Sequence, residues 1–190
     1  MALDETAPCA APVEIDRARQ LAEDLLGTDS AEYHHSEGAA ARATTIERHL
    51  LGRWRPALVP AAWLHEIGHS RHVAQTGCAQ LDAARYLRYL DWSTEVGRLV
   101  ANQGAGYAHA HHLGLGQMLE TEFPEPQVGP YIAINWAHLT ISAGGTPQSI
   151  EAGIDQALQG CVAARFSRDD MIAAEDDLRR GSGFCGVFAA

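Results

Sequence analysis

Apolar residues recur three and four positions apart along most of the chain, which is the spacing of a helix with one buried face. The first such run contains Ile15, Ala18, Leu21 and Leu25, and Gly27 follows where a helix would end. Alternation of β-branched and polar residues, the pattern of a half-buried strand, is almost absent. The sequence therefore predicts an all-α fold, a compact single-domain helical bundle.

Seven further segments have the same spacing or the capping and proline signals of helices. They are Asp29 to about Leu51, about Pro60 through His69, Leu81–Leu90, Val96–Gln103, Tyr131–Ile141, Thr146 to about Leu158, and Ser167–Gly181. We expect Thr146 to cap its helix with Pro147 at the first helical position. Residues 1–12, rich in alanine and proline, predict a flexible leader, residues 13–180 a helical domain and residues 181–190 a C-terminal tail.

The charge of the chain limits its partners. The net charge is -10, and the 14 basic residues are all arginines, scattered without a basic stripe. An acidic surface has nothing with which to neutralise a nucleic acid or an anionic membrane, so we expect neither as a partner. The N-terminal residues lack the pattern of a signal peptide, and no apolar stretch is of membrane-spanning length. These features favour a cytoplasmic protein with a small-molecule substrate and leave its oligomeric state open.

The cysteines give no sign of a metal or redox motif. Cys9, Cys78, Cys161 and Cys185 lie far apart, and no CxxC pair occurs. This spacing excludes a zinc ribbon and a thioredoxin-like motif.

The densest chemical motif is the segment His65–His69, which reads His-Glu-Ile-Gly-His. On a helix, His65 and His69 would point the same way, with Glu66 on the neighbouring flank. This is the H-E-x-x-H pattern of zinc peptidases, in which two histidines bind zinc and the glutamate activates water. That interpretation needs a third ligand, for which Glu95 is a candidate, and it lacks the strands that usually bind the peptide.

A wider arrangement offers a second interpretation, in which a histidine on one helix is followed by a His-Glu step and a polar residue on a later apolar helix. The blocks that carry it, after His35, are Glu37–Ala43, Ala61–His69, Thr76–Gly77, Leu81–Leu87 and Arg98–Ala101. In this order they resemble the HD-domain superfamily, specifically its small stand-alone bacterial members. The resemblance covers about Ile15 to Pro147.

The resemblance implies an all-helical core and a metal site built from a first His, a His-Asp pair and a distant Asp. At the matching positions this chain has His35, His65 with Glu66 in place of Asp, and His138 in place of the last Asp. The histidines that bind a second metal in some members correspond to Ala79 and to Asn102-Gln103, which makes a dinuclear centre doubtful.

Three nitrogens and one carboxylate suit a single divalent ion such as Fe, Mn, Zn, Ni or Co better than Mg. Binding of no metal is the alternative.

Three functions remain open at this point. The first is a metal-dependent hydrolase acting on a small phosphorylated or nucleotide-like substrate, as the resemblance implies, with Glu66 and His69 as catalytic residues. The second is a non-hydrolytic enzyme, an oxygenase, lyase or cyclase of a small-molecule pathway, in which His65, Glu66, His69 and His138 are acid-base candidates. The third is a catalytically inactive binding protein on the same scaffold.

The remaining histidines have simpler interpretations beside the functional ones. His34 and His49 are expected at the surface, whereas His69 and His72 either line the cavity or face solvent. The histidines of the glycine-flanked segment 109–112 predict a lid over the site or an exposed loop. His138, on an apolar helix, is a ligand or a hydrogen-bonded core histidine.

Overall fold

Helices, with the short 3₁₀ turns included, account for 71% of the residues that the structure describes. The computed structural model describes residues 8–182, and this range contains ten α-helices. They are α1 (Pro12–Leu26), α2 (Ala31–Ile46), α3 (Arg55–Leu64), α4 (Ala79–Tyr89), α5 (Thr94–Ala101), α6 (Gly106–His112), α7 (Gly116–Glu122), α8 (Val128–Leu139), α9 (Ile150–Ala163) and α10 (Arg168–Ser182). The one β pairing in the described range is an isolated bridge between Ile141 and Pro147. The predicted all-α class is therefore confirmed.

Helix α3 is the centre of the bundle. All residues from Ala57 to Leu64 are buried, and α3 packs against α1, α2, α5 and α8. A helix that is apolar on every side has no solvent-facing surface to offer, so its neighbours must enclose it. The end of α3 is consequently held deep inside the protein, and the residues that follow Leu64 start from a buried position.

Helix α2 lies close to its neighbours because its packed face consists of small residues. Ala39, Ala40 and Ala43 are buried in the core, and a Cβ added to Gly38 would lie 2.7 Å from Ile141 Cγ2. A larger side chain at Gly38 would therefore push α2 away from the turn that follows α8. This close approach brings α2 and the end of α8 together at the candidate site.

Two predicted boundaries near the candidate site are wrong. The third helix begins at Arg55 and ends at Leu64, so it does not continue through the histidines. Instead the chain turns at His65 and Glu66 and forms a single 3₁₀ turn, Ile67–His69. A Cβ at Gly68 would lie 1.9 Å from the Ala79 carbonyl oxygen, so this turn packs directly on the start of α4.

The second wrong boundary is the start of α9. The cap is Ser149, whose side chain accepts a hydrogen bond from the Ala152 N–H, and the helix begins at Ile150. Thr146 and Pro147 instead form part of a tight turn that begins at Ser142, in which the Ser142 N–H donates to the Thr146 carbonyl oxygen. The Thr-Pro pair is therefore part of a turn and not the start of a helix.

Helices α6 and α7 occupy a region that the sequence did not assign to helices. The last helix, in contrast, opens at the expected place, because Ser167 and Asp170 exchange hydrogen bonds between side chain and backbone. It extends to Ser182, and the remainder of the predicted tail, like residues 1–7 of the predicted leader, lies outside the described residues. Within residues 8–182, no helix has the length and apolar character needed to cross a membrane.

Candidate metal centre

The four predicted ligands come together from three separate parts of the chain. His35 lies on α2, His65 and Glu66 follow the end of α3, and His138 lies near the end of α8. One donor atom from each residue lies within 4.8 Å of the donor atoms of the other three. His35 and His65 are buried, with exposed fractions of 7% and 1%. This is the one group of its kind in the part of the chain that the structure describes.

Two of the imidazoles are oriented by backbone carbonyl groups. His35 Nδ1 lies 2.9 Å from the Ser142 carbonyl oxygen, and His65 Nδ1 lies 2.8 Å from the Ala62 carbonyl oxygen. Since a carbonyl oxygen only accepts, both Nδ1 atoms must carry the hydrogen, and in the neutral ring the lone pair is then on Nε2. The second nitrogen of a metal-binding histidine is commonly held in this way. The two Nε2 atoms both point into the group.

Distances within the group fit a single ion. His35 Nε2 lies 3.0 Å from His138 Nδ1, and Glu66 Oε1 lies 3.1 Å from His65 Nε2 and 3.7 Å from His35 Nε2. Ligand atoms about 2.1 Å from one ion are separated by about 3.0 Å at a right angle and about 3.4 Å in a tetrahedron. Moreover, His65 Nε2 is buried without a hydrogen-bond partner, which is costly unless a ligand satisfies it. The donor set therefore fits one divalent ion.

The pKa values of His35, Glu66 and His138 are shifted by burial and by their neighbours. Burial and the neighbouring His65 lower the pKa of His35, and burial together with His35 and His65 lowers the pKa of His138 well below its usual value. Burial of Glu66 opposes its ionisation, but the imidazoles of His65, His35 and His69 outweigh burial and hold its pKa well below the usual range. These directions favour the neutral imidazoles of His35 and His138 and the ionised carboxylate of Glu66, which are the forms that bind a cation.

His69 lies beside this group rather than in it. Its Nε2 is 3.3 Å from Glu66 Oε2, the carboxylate oxygen that does not contact His65, and its side chain is 54% exposed. The expectation that His65 and His69 share one helical face is wrong, because α3 ends before both of them. Glu95, the third ligand that a peptidase would need, instead pairs with Arg53 at 3.1 Å. The H-E-x-x-H spacing therefore does not form a zinc-peptidase site here.

A cavity of about 270 Å³ opens beside the four residues. Its lining includes His35, Glu66, His69 and His138, together with Leu139, Ile141 and residues of α9. Sequence reasoning missed Glu32, Gln148 and Gln156, which also line the cavity. No pattern indicated them, since they come from the first turn of α2, the loop before α9 and α9 itself.

The histidines of segment 109–112 do not form a loop, because they lie on α6, and none of them lines the cavity. His112 Nδ1 is 2.9 Å from Asp170 Oδ2, and the His112 ring stacks on Phe166 at 4.4 Å between centroids. His111 Nε2 lies 3.2 Å from Glu120 Oε1. These contacts attach α6 to α7 and to the start of α10.

Other predicted positions have structural roles or face solvent. His34, His49 and His72 are exposed, and His72 does not line the cavity. Asn102, which corresponds to a second-metal position, donates from Nδ2 to the carbonyl oxygens of Arg98 and Phe123 and so holds the end of α5.

The fold and the site together define an all-α protein with a buried three-histidine, one-glutamate group beside an open cavity. No protein-family model matches the chain, and searches of the curated proteins and of the solved structures found no match. The resemblance to the HD-domain superfamily therefore stays a prediction from the motifs.

Proposed function

We propose that this protein is a metal-dependent enzyme in which His35, His65, Glu66 and His138 hold one divalent ion, and that its chemistry is hydrolytic, as the HD-domain resemblance implies. The observation that carries the proposal is the buried, unpartnered Nε2 of His65 within a group whose donor atoms lie within 4.8 Å of one another. A buried core histidine normally hydrogen-bonds through both ring nitrogens, whereas here Nε2 has the Glu66 carboxylate 3.1 Å away but no hydrogen bond.

A divalent ion bound there would supply Lewis acidity beside the cavity. We assign the proton-handling role to His69, because its ring reaches both the cavity and Glu66. One carboxylate oxygen of Glu66 faces the ligand group, while the other lies 3.3 Å from His69 Nε2. Glu66 thus orients the His69 ring, and His69 takes up and returns a proton at the cavity wall.

The ion and the reaction are tested separately. We expect protein expressed with Fe, Mn, Zn, Ni or Co to retain one ion per chain, and we expect the saturating ion to stabilise the metal-free protein by about 3 kcal/mol at a hundredfold excess over its Kd. Metal analysis and thermal unfolding measure these two quantities. Absence of a stoichiometric ion with all five metals would refute the proposal and favour an inactive binding protein.

For the reaction, we expect the loaded protein to hydrolyse members of a panel of esters, amides and phosphate esters. His69→Gln should lower kcat by about 100-fold while the ion is retained. The matched control is His72→Gln, an exposed histidine that does not line the cavity. Equal activity of the His69→Gln variant and the wild type would remove His69 from the mechanism.

A non-hydrolytic enzyme is the second candidate, and the composition of the ligand set favours it. Three neutral nitrogens and a single carboxylate leave a divalent ion with a net positive charge, and imidazole ligands suit iron as well as zinc. Consumption of oxygen by the iron-loaded protein in the presence of a substrate, with no hydrolysis in the panel, would support this candidate.

A further inference from the structure

The cavity beside the ligand group contains no fixed positive side chain. Residues 1–7 and 183–190 contain neither lysine nor arginine, so all 14 basic side chains lie within the described range. None of them lines the cavity, whose charged side chains other than histidine are the carboxylates of Glu32 and Glu66. Sites for phosphate typically offer arginine or lysine to the phosphate oxygens.

Many of the arginines are engaged elsewhere. Arg85 and Arg88 both bind Glu122, and Arg98 donates to the backbone carbonyl oxygens of Pro124 and Glu125. Recruiting one of these side chains to the cavity would break an existing contact, and no such movement is needed to explain the fold.

The start of α2 also lines the cavity, and the N–H groups of a first helical turn are partly positive and can attract an anion. Here, however, the Ser30 side chain accepts the Tyr33 N–H at 3.0 Å. The Glu32 carboxylate also lies in this first turn and lines the cavity. A phosphate at this position would meet a negative charge.

The hydrogen-bonding capacity of the polar side chains in the cavity also favours a ligand without phosphate. Gln148 donates from Nε2 to the carbonyl oxygens of Leu139 and Ile141, at 3.1 and 2.9 Å. With both amide hydrogens used, Gln148 has only its Oε1 acceptor to offer a ligand. Glu32 likewise only accepts, so these two residues favour a ligand that donates.

We infer that the cavity takes a small, non-phosphorylated molecule that carries an amine, with its ammonium group at Glu32 and a further N–H or O–H group directed to Gln148. The cavity volume of about 270 Å³ limits the ligand to a small molecule. This inference rests on the proposed function, because His35, Glu66 and His138 of the ligand group line the same cavity, and it replaces the phosphorylated substrate that the resemblance implies.

The test compares molecules that differ only in one head group. The probes are 2-phenylethylamine, 2-phenylethanol and 2-phenylethyl phosphate, and in a second series butylamine, 1-butanol and butyl phosphate. Saturation-transfer NMR titrations give the Kd of each probe for the zinc-loaded and the metal-free protein at neutral pH. We expect each amine to bind at least about tenfold more tightly than the corresponding phosphate in the metal-free protein.

Two pairs of variants locate the preference. Glu32→Gln should weaken amine binding by about tenfold, whereas Glu37→Gln, an exposed position on the same helix outside the cavity, should leave it unchanged. Gln156→Arg should strengthen phosphate binding by about tenfold, and Gln159→Arg, also on α9 but outside the cavity, should not.

The inference is overturned if the phosphates bind as tightly as the amines, if no probe binds at millimolar concentration, or if the preference survives Glu32→Gln. These outcomes are separable from failure of the proposed function. If the chain takes no ion, the proposed function fails, but the head-group preference of the metal-free protein still decides the inference, because Glu32, Gln148 and Gln156 lie outside the ligand group.

Discussion

Two groups of three histidines lie in this protein, and they use their ring nitrogens differently. The first group is His35, His65 and His138 of the candidate metal centre. There the Nδ1 atoms of His35 and His65 each donate to a backbone carbonyl oxygen, and their Nε2 atoms point into the ligand group. On α6, His111 and His112 each contact a carboxylate on another helix, and His112 also stacks on Phe166.

The difference teaches what separates a candidate metal site from a histidine-rich surface. On α6, His111 and His112 each contact a different carboxylate, and each contact joins two helices. In the ligand group three imidazoles share one carboxylate, and one buried nitrogen has no hydrogen-bond partner. The density of histidine in the sequence is higher on α6, so density alone would have indicated the wrong region.

The largest expected difference between the two groups is in metal affinity. His65→Gln removes a buried ligand and should weaken binding of the divalent ion by more than about 100-fold, whereas His112→Gln should change it by less than about twofold. Titration of the metal-free proteins with cobalt, followed by visible absorption, measures both. Circular dichroism checks that each variant is folded, and equal cobalt affinity of the folded variants would contradict the assignment of the site.

A smaller effect is expected in the pH dependence of stability. Burial lowers the pKa of His35 and of His138, while in the unfolded chain both are near 6.5. Below that pH the unfolded chain binds protons that the folded protein does not. The contribution of His35 and His138 to the free energy of unfolding is therefore fully present above about pH 6.5. It is lost as the pH falls, by up to about 1.4 kcal/mol per pH unit for each histidine.

Urea unfolding of the metal-free protein between neutral and mildly acidic pH measures this slope, and we expect His138→Gln to make it shallower. The comparison with a variant is necessary because burial raises the pKa of Asp177. This shift increases the free energy of unfolding as the pH falls and so opposes the effect of the histidines. Parallel slopes for the wild type and His138→Gln would show that His138 does not titrate in this way.

The smallest expected effect concerns the α6 histidines. His112→Ala removes a partly exposed ion pair with Asp170 and a ring contact with Phe166, and should lower the free energy of unfolding by about 1 kcal/mol. Metal affinity should not change. His72→Ala is the matched control at an exposed position, and a loss of metal affinity in His112→Ala would show that the two groups are coupled.

Local chemistry accounts for what the sequence predicted well. Helical spacing of apolar residues and the Ser167–Asp170 pair depend on residues within one or two turns of each other, and the structure contains them. The two wrong boundaries arose where a local signal competed with a tertiary contact. Gly68 packs on Ala79 and ends the helical path through the histidines, and the turn from Ser142 to Thr146 takes the place of the expected helix start.

The all-α class follows from the sequence alone, because helical periodicity depends only on the order of apolar and polar residues. The sequence also supplied the candidate metal ligands His35, His65, Glu66 and His138. The tertiary structure was needed to show that these four side chains lie together and that His69 contacts Glu66 from outside the group. It also decided that Glu32 and Gln148 line the cavity. The physical reason is that these positions depend on how helices far apart in sequence pack, and on which carbonyl groups that packing brings to each imidazole.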